Sequence, residues 1–352
     1  MKKKINKIVD NANFFELIQQ SPHNIKLNQF YKIIKESDGE LKRAELLYSE
    51  GMANVAERTI FKTLDRLFKS ADNVARLIPD NFLIKRLKRC FRNYFFGHLS
   101  NSEIYKRGLL KPRGYPGDGE IIEWIYDRRI VSKGIGQIYD RYFHAIDYVK
   151  AVRLRKNIMR KILKKYLERD TKVSKIKILN LACGTCREIR DLFEGGIELK
   201  SMVEFTLVDH DRITLKFAKR KLPSMSNKLN YKFSCLDVLS FTKKNCNSKM
   251  HLYFDMIYCI GLADYLPDSI LGPLIRNSYE MLSRGGKFYL AHKNVKEFST
   301  PGSDWGADWK FIPRNECEVK KIFYRNIGNR KSFLKLFFDE SKRIFFIELE
   351  KK

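Results

Sequence analysis

From Lys175 onwards, short β-branched or aromatic runs alternate with amphipathic helical stretches, and this alternation narrows the fold more than any other feature of the chain. A chain that alternates strand with crossover helix closes as a parallel sheet covered on both faces. The predicted strands are 175–182 (KIKILNLA), 204–210 (EFTLVDH), 230–235 (NYKFSC), 254–261 (FDMIYCIG) and 286–293 (GKFYLAHK). Helices are expected near Arg187 to Phe193, Arg212 to Lys221 and Ser269 to Leu282, with a closing strand pair around Asp339, Glu340 and Ser341. Five parallel strands and an antiparallel pair make an α/β fold with a seven-stranded doubly wound sheet.

The first part of the chain has a different texture. From about Phe14 to Phe96 the pattern is helical, with Ile60, Leu64, Leu67, Val74 and Leu77 recurring at spacings of three or four residues or their multiples. An all-helical domain is expected over 1–110. The stretch LLKPRGYPGDGE (109–120) then breaks the chain with Pro112, Gly114, Pro116, Gly117 and Gly119, and Asp118 is placed to cap a helix starting near Glu120. Ile121, Ile122, Ile125 and Tyr126 mark that helix, and another is predicted from Asp140 to Leu167. Residues 111–170 are thus expected as a turn and connecting helices over an active site, and 171–352 as the sheet domain.

Composition removes several classes. With 44% hydrophobic and 13% aromatic residues, the chain is too apolar to be disordered. No stretch approaches the roughly 20 apolar residues of a bilayer span. The N-terminal Asp10, Asn11, Asn13 and Glu16 interrupt any signal-like apolar core, and the seven cysteines lack the spacing of a disulfide framework, so a cytoplasmic protein is expected. Cys183 and Cys186 have C-x-x-C spacing without a second pair nearby and read as small side chains in a tight turn; no metal is expected.

The net charge, 69 − 41 = +28, admits a nucleic-acid partner or an anionic surface. Clusters such as KRLKR (85–89) and KRK (219–221) alternate with apolar residues, however, as on solvated helix faces. A nucleic-acid partner stays open but is not favoured.

Ligands of doubly wound sheets sit at the carboxyl ends of the strands, near the point where strand order reverses. The turn after the first strand, Asn180-Leu-Ala-Cys-Gly-Thr-Cys186, is where a ligand is expected, and Gly184 permits close backbone approach. Asp209 ends the next strand, where an acidic side chain accepts from ribose hydroxyls. Asp237 follows the third strand, where it can take the amino group of an adenine. Each alone also reads as a helix cap or loop aspartate; in this order they outline an adenosine site.

With these residues in place, the sequence resembles the class I S-adenosylmethionine-dependent methyltransferases. ILNLACGT resembles their first motif, LVDHDRITLKFA their second, LDV their third, FDMIYCIGLADYL the stretch leading from the fourth strand to the reacting methyl, and LSRGGKFYL the turn into the fifth strand. The resemblance implies S-adenosyl-L-methionine as cofactor, held by Asn180, Ala182, Cys183, Gly184, Asp209, His210, Asp237, Val238, Ile260 and Gly261. The chain departs from the family where the usual acid of the first motif is Asn180 and its first and third glycines are Ala182 and Cys186. Over about residues 105–315, KPRGYPGDGEIIEWIYD, ILNLACGTCREI, FDMIYCIGLADYLPD and DWKFIPR resemble more closely a bacterial group that includes enzymes making 3-hydroxypalmitic acid methyl ester. AHKN (291–294) departs from that group's usual glycine-asparagine pair.

The expected reaction is methyl transfer to a small molecule, favoured at a carboxylate, which is already ionised and needs a cationic clamp more than a base. Arg113, Arg153 or Arg155 are candidates for that clamp, or else surface arginines. For a hydroxyl or amine acceptor, His292 is placed as a base, or is a structural histidine at a strand end. Asp264 and Tyr265 sit where the fold meets its acceptor. Tyr115 and Asp118 form either a lid or a capped turn, and Trp305, Trp309 and Phe311 either wall a pocket or make a hydrophobic contact between cap and sheet. The rival functions are an RNA or protein methyltransferase, against which GLADYLPD lacks an Asp/Asn-Pro-Pro-aromatic turn, and a non-catalytic cofactor-binding sensor or partner subunit.

Overall fold

The structure, a computed structural model, describes residues 17–18, 21, 23–170, 173–243, 253–294 and 300–352. The start of the predicted helical stretch at Phe14 lies outside the described residues. The chain divides into two compact units: one holds the described residues up to Lys150 with those in Ser299–Lys310, the other those in Ala151–Phe298 and Phe311–Lys352.

The first unit is helical: α1 (Asn24–Ser49), α2 (Ala53–Leu77), α3 (Asn81–Leu99), α4 (Glu103–Leu110), α5 (Gly119–Asp127), α6 (Gly136–Ala145) and the first residues of α7 (Asp147–Leu167). In α2 the buried Ala56, Ile60, Thr63, Leu64, Leu67, Phe68, Ala71 and Val74 form one apolar stripe at helical spacing. Asp80 caps α3 by accepting from the Phe82 and Leu83 N–H groups. Asp118 caps α5 in the same way, from Glu120 and Ile121. The single helix predicted from Asp140 to Leu167 is two helices. Ile146 is extended at ψ 143°, and Asp147 opens the first turn of α7.

The second unit is built on β1 (Lys175–Leu181), β2 (Met202–Asp209), β3 (Leu229–Cys235), β4 (Phe254–Cys259), β5 (Leu282–Lys293), β6 (Ser332–Phe338) and β7 (Ile344–Lys351). Their order is β3-β2-β1-β4-β5-β7-β6. The first five are parallel, and β7 pairs antiparallel with β5 and β6. The expected seven-stranded doubly wound sheet is therefore present. α8 (Arg187–Glu194), α9 (Arg212–Lys221), α10 (Asp268–Glu280) and α11 (Glu316–Ile327) complete the unit. Strand order reverses at β1, whose Asn180 registers with Leu207 on one side and Tyr258 on the other. Each face of the sheet is covered by its own apolar cluster, so the open edge for a ligand is the row of strand tips.

Candidate active site

The turn after β1 holds three alternate residues in left-handed conformation: Ala182 (φ 54°), Gly184 (φ 54°) and Cys186 (φ 53°). The chain thus keeps a backbone path suited to glycine while carrying side chains at two of the three points, at about 1 kcal/mol of strain each. The path is held from the next strand. Gly184 N–H donates to Asp209 Oδ2 at 2.8 Å, and Cys183 N–H to the Val208 carbonyl at 2.9 Å. A Cβ on Gly184 would meet nothing within 4 Å, so open space lies over the turn.

Asp209 is buried, and Asp211 N–H donates to its Oδ1 at 2.9 Å. Burial pushes its carboxyl above the usual range, against the Asp211 and Gly184 N–H donors, which favour the anion. A carboxylate offers about four acceptor positions, so two backbone donors leave room for ribose hydroxyls. The exposed ring of His210 brings Nδ1 to 3.4 Å from the same Oδ1. Asp237 accepts from Leu239 N–H at 2.9 Å and caps the 3-10 turn that starts at Val238. Leu236 N–H donates to the Asp209 carbonyl at 3.0 Å, which ties the tips of β2 and β3 together. Gly184, Asp209 and Asp237 therefore share one edge. Cys183 and Cys186 are buried free thiols, and burial pushes both thiols up.

Two residues that sequence reasoning missed stand behind Asn180. Its Nδ2 donates to Glu188 Oε1 at 3.0 Å and to Tyr258 Oη at 2.8 Å. The available signal was a glutamate in the first turn of α8, eight positions after Asn180, paired with a tyrosine in register on β4.

Beyond β4 the chain passes Ile260 and Gly261 into a 3-10 turn, Ala263–Tyr265. Asp264, 1% exposed, accepts from Lys293 N–H at 2.8 Å and lies 3.6 Å from Arg155 Nη1 and 3.3 Å from His292 Nδ1. Burial raises its carboxyl, but His292, Lys293 and Arg155 outweigh burial and hold it below its ordinary range. A Cβ on Gly261 would sit 3.7 Å from Arg155 Nη2, so this guanidinium overlies the turn after β4. Tyr265 packs on Phe311 with ring centroids 5.2 Å apart.

His292 has no exposed side-chain surface and stacks on Phe345. Its Nδ1 is 2.8 Å from the Lys293 carbonyl, an acceptor, so Nδ1 carries the proton there. Nε2 then accepts from Arg314 Nη1 at 3.4 Å. Both nitrogens are engaged within the protein. Arg314, also missed, donates to Asp268 and to the Leu266 carbonyl. Arg153 is half-buried on α7.

The remaining candidates lie in the first unit. Arg113 Nε is 3.9 Å from Asp118, which also takes a bidentate pair from Arg107. Tyr115 is half-buried in the same turn. Trp305 is 1% exposed, edge-on to Phe30 and Phe91, and Trp309, 2% exposed, stands edge-on to Tyr148 and covers Gly117. Both tryptophans are interior side chains of the helical unit, where the sequence reading expected a pocket wall or a contact between cap and sheet.

Residues 172–329 match a family described as Methyltransferase domain. Over these residues the second unit resembles a methyltransferase domain, and its sheet is the Rossmann-like one of methyltransferases. Over 163 residues the chain is 24% identical to a ubiquinone biosynthesis O-methyltransferase of Nitrosospira multiformis, covering 45% of this chain and 60% of that one. The chain thus spans less than two thirds of that relative. A solved structure described as a possible exported protein from Bordetella parapertussis has a TM-score of 0.56 at 15% identity, over 74% of this chain and 87% of that one, and shares the fold. Magnesium protoporphyrin IX methyltransferase from Synechocystis, solved with bound SAM, gives a TM-score of 0.41 at 13% identity over 65% of this chain and 91% of its own.

The residues of the second unit fit the cofactor. Nothing lies within 4 Å of a Cβ placed on Gly184, and Asp209 and Asp237 offer carboxylates from adjoining strand tips. No described helix is long and apolar enough to cross a membrane.

Proposed function

We propose that the chain transfers the methyl group of S-adenosyl-L-methionine to a small molecule, at a carboxylate oxygen of a fatty-acid-like or acyl acceptor. When bound, the cofactor supplies an electrophilic methyl on its sulfonium. Asp209 and His210 take the ribose side, with Asp237 and Val238 at the adenine. The turn from Ala182 through Gly184 lets the backbone approach, and Ile260 and Gly261 line the way to the acceptor.

One observation carries the choice of acceptor. Beyond β4, the buried guanidinium of Arg155 lies over Gly261 and 3.6 Å from the buried carboxylate of Asp264. A guanidinium there is matched to an anionic acceptor, which it can hold through two parallel N–H bonds. Arg155, over Gly261, is the clamp we favour; Arg153 lies two residues earlier on the same helix and so on a different face. His292, with both nitrogens engaged, suits a reaction that asks for no base, and ionised carboxylates ask for none. Asp264 then sets the charge of the clamp and Tyr265 borders it. Oxygen as the acceptor atom also agrees with the O-methyltransferase named among the relatives.

The test is incubation of the full chain with tritiated methyl donor and a series of fatty acids, phenols and amines. Base-labile, solvent-extractable label on the acids is expected, and base-stable label would count against an ester. Arg155→Gln should raise KM for the acid at least about tenfold, the scale of a lost charged hydrogen bond, without changing cofactor affinity.

A further inference from the structure

In the helical unit, α1 packs along α2, and the short turn at 50–52 makes the pair antiparallel. Thr63 Oγ1 donates to Glu40 at 2.7 Å and Arg66 Nη2 to Ser37 Oγ at 3.4 Å, which fixes their register. Continued to the end away from the turn, that register sets Ile25 level with Leu77, and α3 starts at the same end after 78–80. Three large apolar side chains stand in solvent there: Ile25 is 73% exposed, Leu77 53% and Phe82 70%. Leu27, Ile78 and Leu83, close to them in the chain, are buried, so the packing of this end already has its own apolar set. The exposed three serve something outside the fold.

The charge around them has one sign. On α3, Phe82, Lys85, Arg86 and Arg89 recur at three- and four-residue spacing and are all exposed, so one face of the helix carries an aromatic ring followed by three cations. Lys26 adds an exposed cation from α1. The nearby acids are committed within the unit: Asp72 pairs with Arg76 at 2.9 Å, and Asp80 accepts from the Phe82 and Leu83 N–H groups. Aliphatic and aromatic side chains set among surplus cations match a surface that is apolar beneath and anionic above. A single-stranded nucleic acid would use the cations and the ring but has no place for Ile25 and Leu77. A lipid bilayer uses all of them, since apolar side chains enter the acyl boundary while Lys and Arg stay with the phosphates. We propose that this end of the helical unit, with Ile25, Leu77 and Phe82 as its apolar points and Lys85, Arg86 and Arg89 as its cations, seats the protein on an anionic lipid surface. The inference concerns the helical unit alone and does not depend on the acceptor proposed above.

The test is co-sedimentation of the full chain with vesicles of phosphatidylcholine alone and of phosphatidylcholine mixed with phosphatidylglycerol. Binding to the mixed vesicles and little to the neutral ones is expected, with release as salt rises from about 50 to 300 mM. Leu77→Ser combined with Phe82→Ser should weaken binding about tenfold or more, and Lys85→Glu combined with Arg86→Glu by at least as much. All four side chains are exposed, so both variants should keep the wild-type circular dichroism spectrum. Lys161→Glu combined with Lys165→Glu, at exposed positions of α7, changes the net charge equally and should bind as wild type does. An equal loss in that α7 variant would mean that charge acts without a site, and would overturn the proposal. So would absence of binding to the anionic vesicles, or binding that survives Leu77→Ser with Phe82→Ser unchanged. Capture of a single-stranded RNA oligonucleotide through Lys85 and Arg86, with the vesicles left in suspension, would overturn it in favour of nucleic acid.

Discussion

At Gly184 the backbone is left-handed and the space beyond Cα is open, so alanine is unfavourable there for two separable reasons. The strain belongs to the protein and should cost about 1 kcal/mol of stability. The methyl group projects into the space assigned to the cofactor and should reduce S-adenosylhomocysteine affinity further. Gly184→Ala is therefore expected to melt only a few degrees lower yet bind measurably worse, and calorimetry beside a thermal melt checks both halves. Asp209→Ala removes the side chain that holds Gly184 N–H as well as the proposed ribose partner, and about 1–3 kcal/mol of cofactor affinity should go with it. Asp264 carries a pH signature. Its carboxyl is held below the ordinary 3.8, so its contribution to stability is complete above that value and is lost as pH falls through the lower folded value. Asp264→Asn should be several kcal/mol less stable at neutral pH, where Arg155 and Lys293 lose their anion, and the gap to wild type should narrow below about pH 4. Acid titration of both proteins by circular dichroism would show it. Asp209 and Asp237 were legible in the sequence because acids at strand ends stand out against apolar runs. Glu188 and Arg314 were not, since their partners come from other elements: Glu188 meets a residue of β4, and Arg314 meets His292 and Asp268.

Among the elements, α5 depends on the residue that caps it. Asp118, 1% exposed, both caps the helix and pairs with Arg107. Asp118→Ala should destabilise the helical unit by about 3–5 kcal/mol, because it strands a partly buried guanidinium as well as two N–H groups. Asp118→Asn, which can still cap, should lose less, and chemical denaturation of the two variants would rank them. The strands of the second unit were readable because β-branched runs bounded by charge allow few alternatives, and each predicted strand overlaps an observed one. β5 begins at Leu282, four residues before the predicted start, because Gly285 and Gly286 read as a break. In the structure they continue the strand, and a Cβ on Gly286 would come within 2.9 Å of the Phe254 carbonyl. The break at Ile146 was unreadable for the opposite reason. No glycine or proline marks it, and the polarity pattern runs on across it.

For the whole molecule, whether the charge of +28 serves solubility or recognition makes a measurable difference. Methyl transfer to a small acid, governed by buried groups, should change little between about 50 and 300 mM salt, whereas a function on RNA would fall steeply over that range. Rates at a series of salt concentrations decide between them. Sequence reading separated a helical part from a sheet part, since texture changes between them, but it assigned residues near 305 to the sheet side. Partners far away along the chain, Phe30, Lys88 and Phe91 among them, show where Trp305 belongs.

That return has a consequence in time. A ribosome releasing this polypeptide cannot finish its amino-terminal body in order of synthesis, because Trp305 and Trp309, the plugs of that body, emerge only after most of the sheet strands have been made. A fragment ending at Lys150 should therefore stay loosely packed and bind a hydrophobic dye, and supplying the missing stretch by lengthening the chain past Lys310 should be what lets it set.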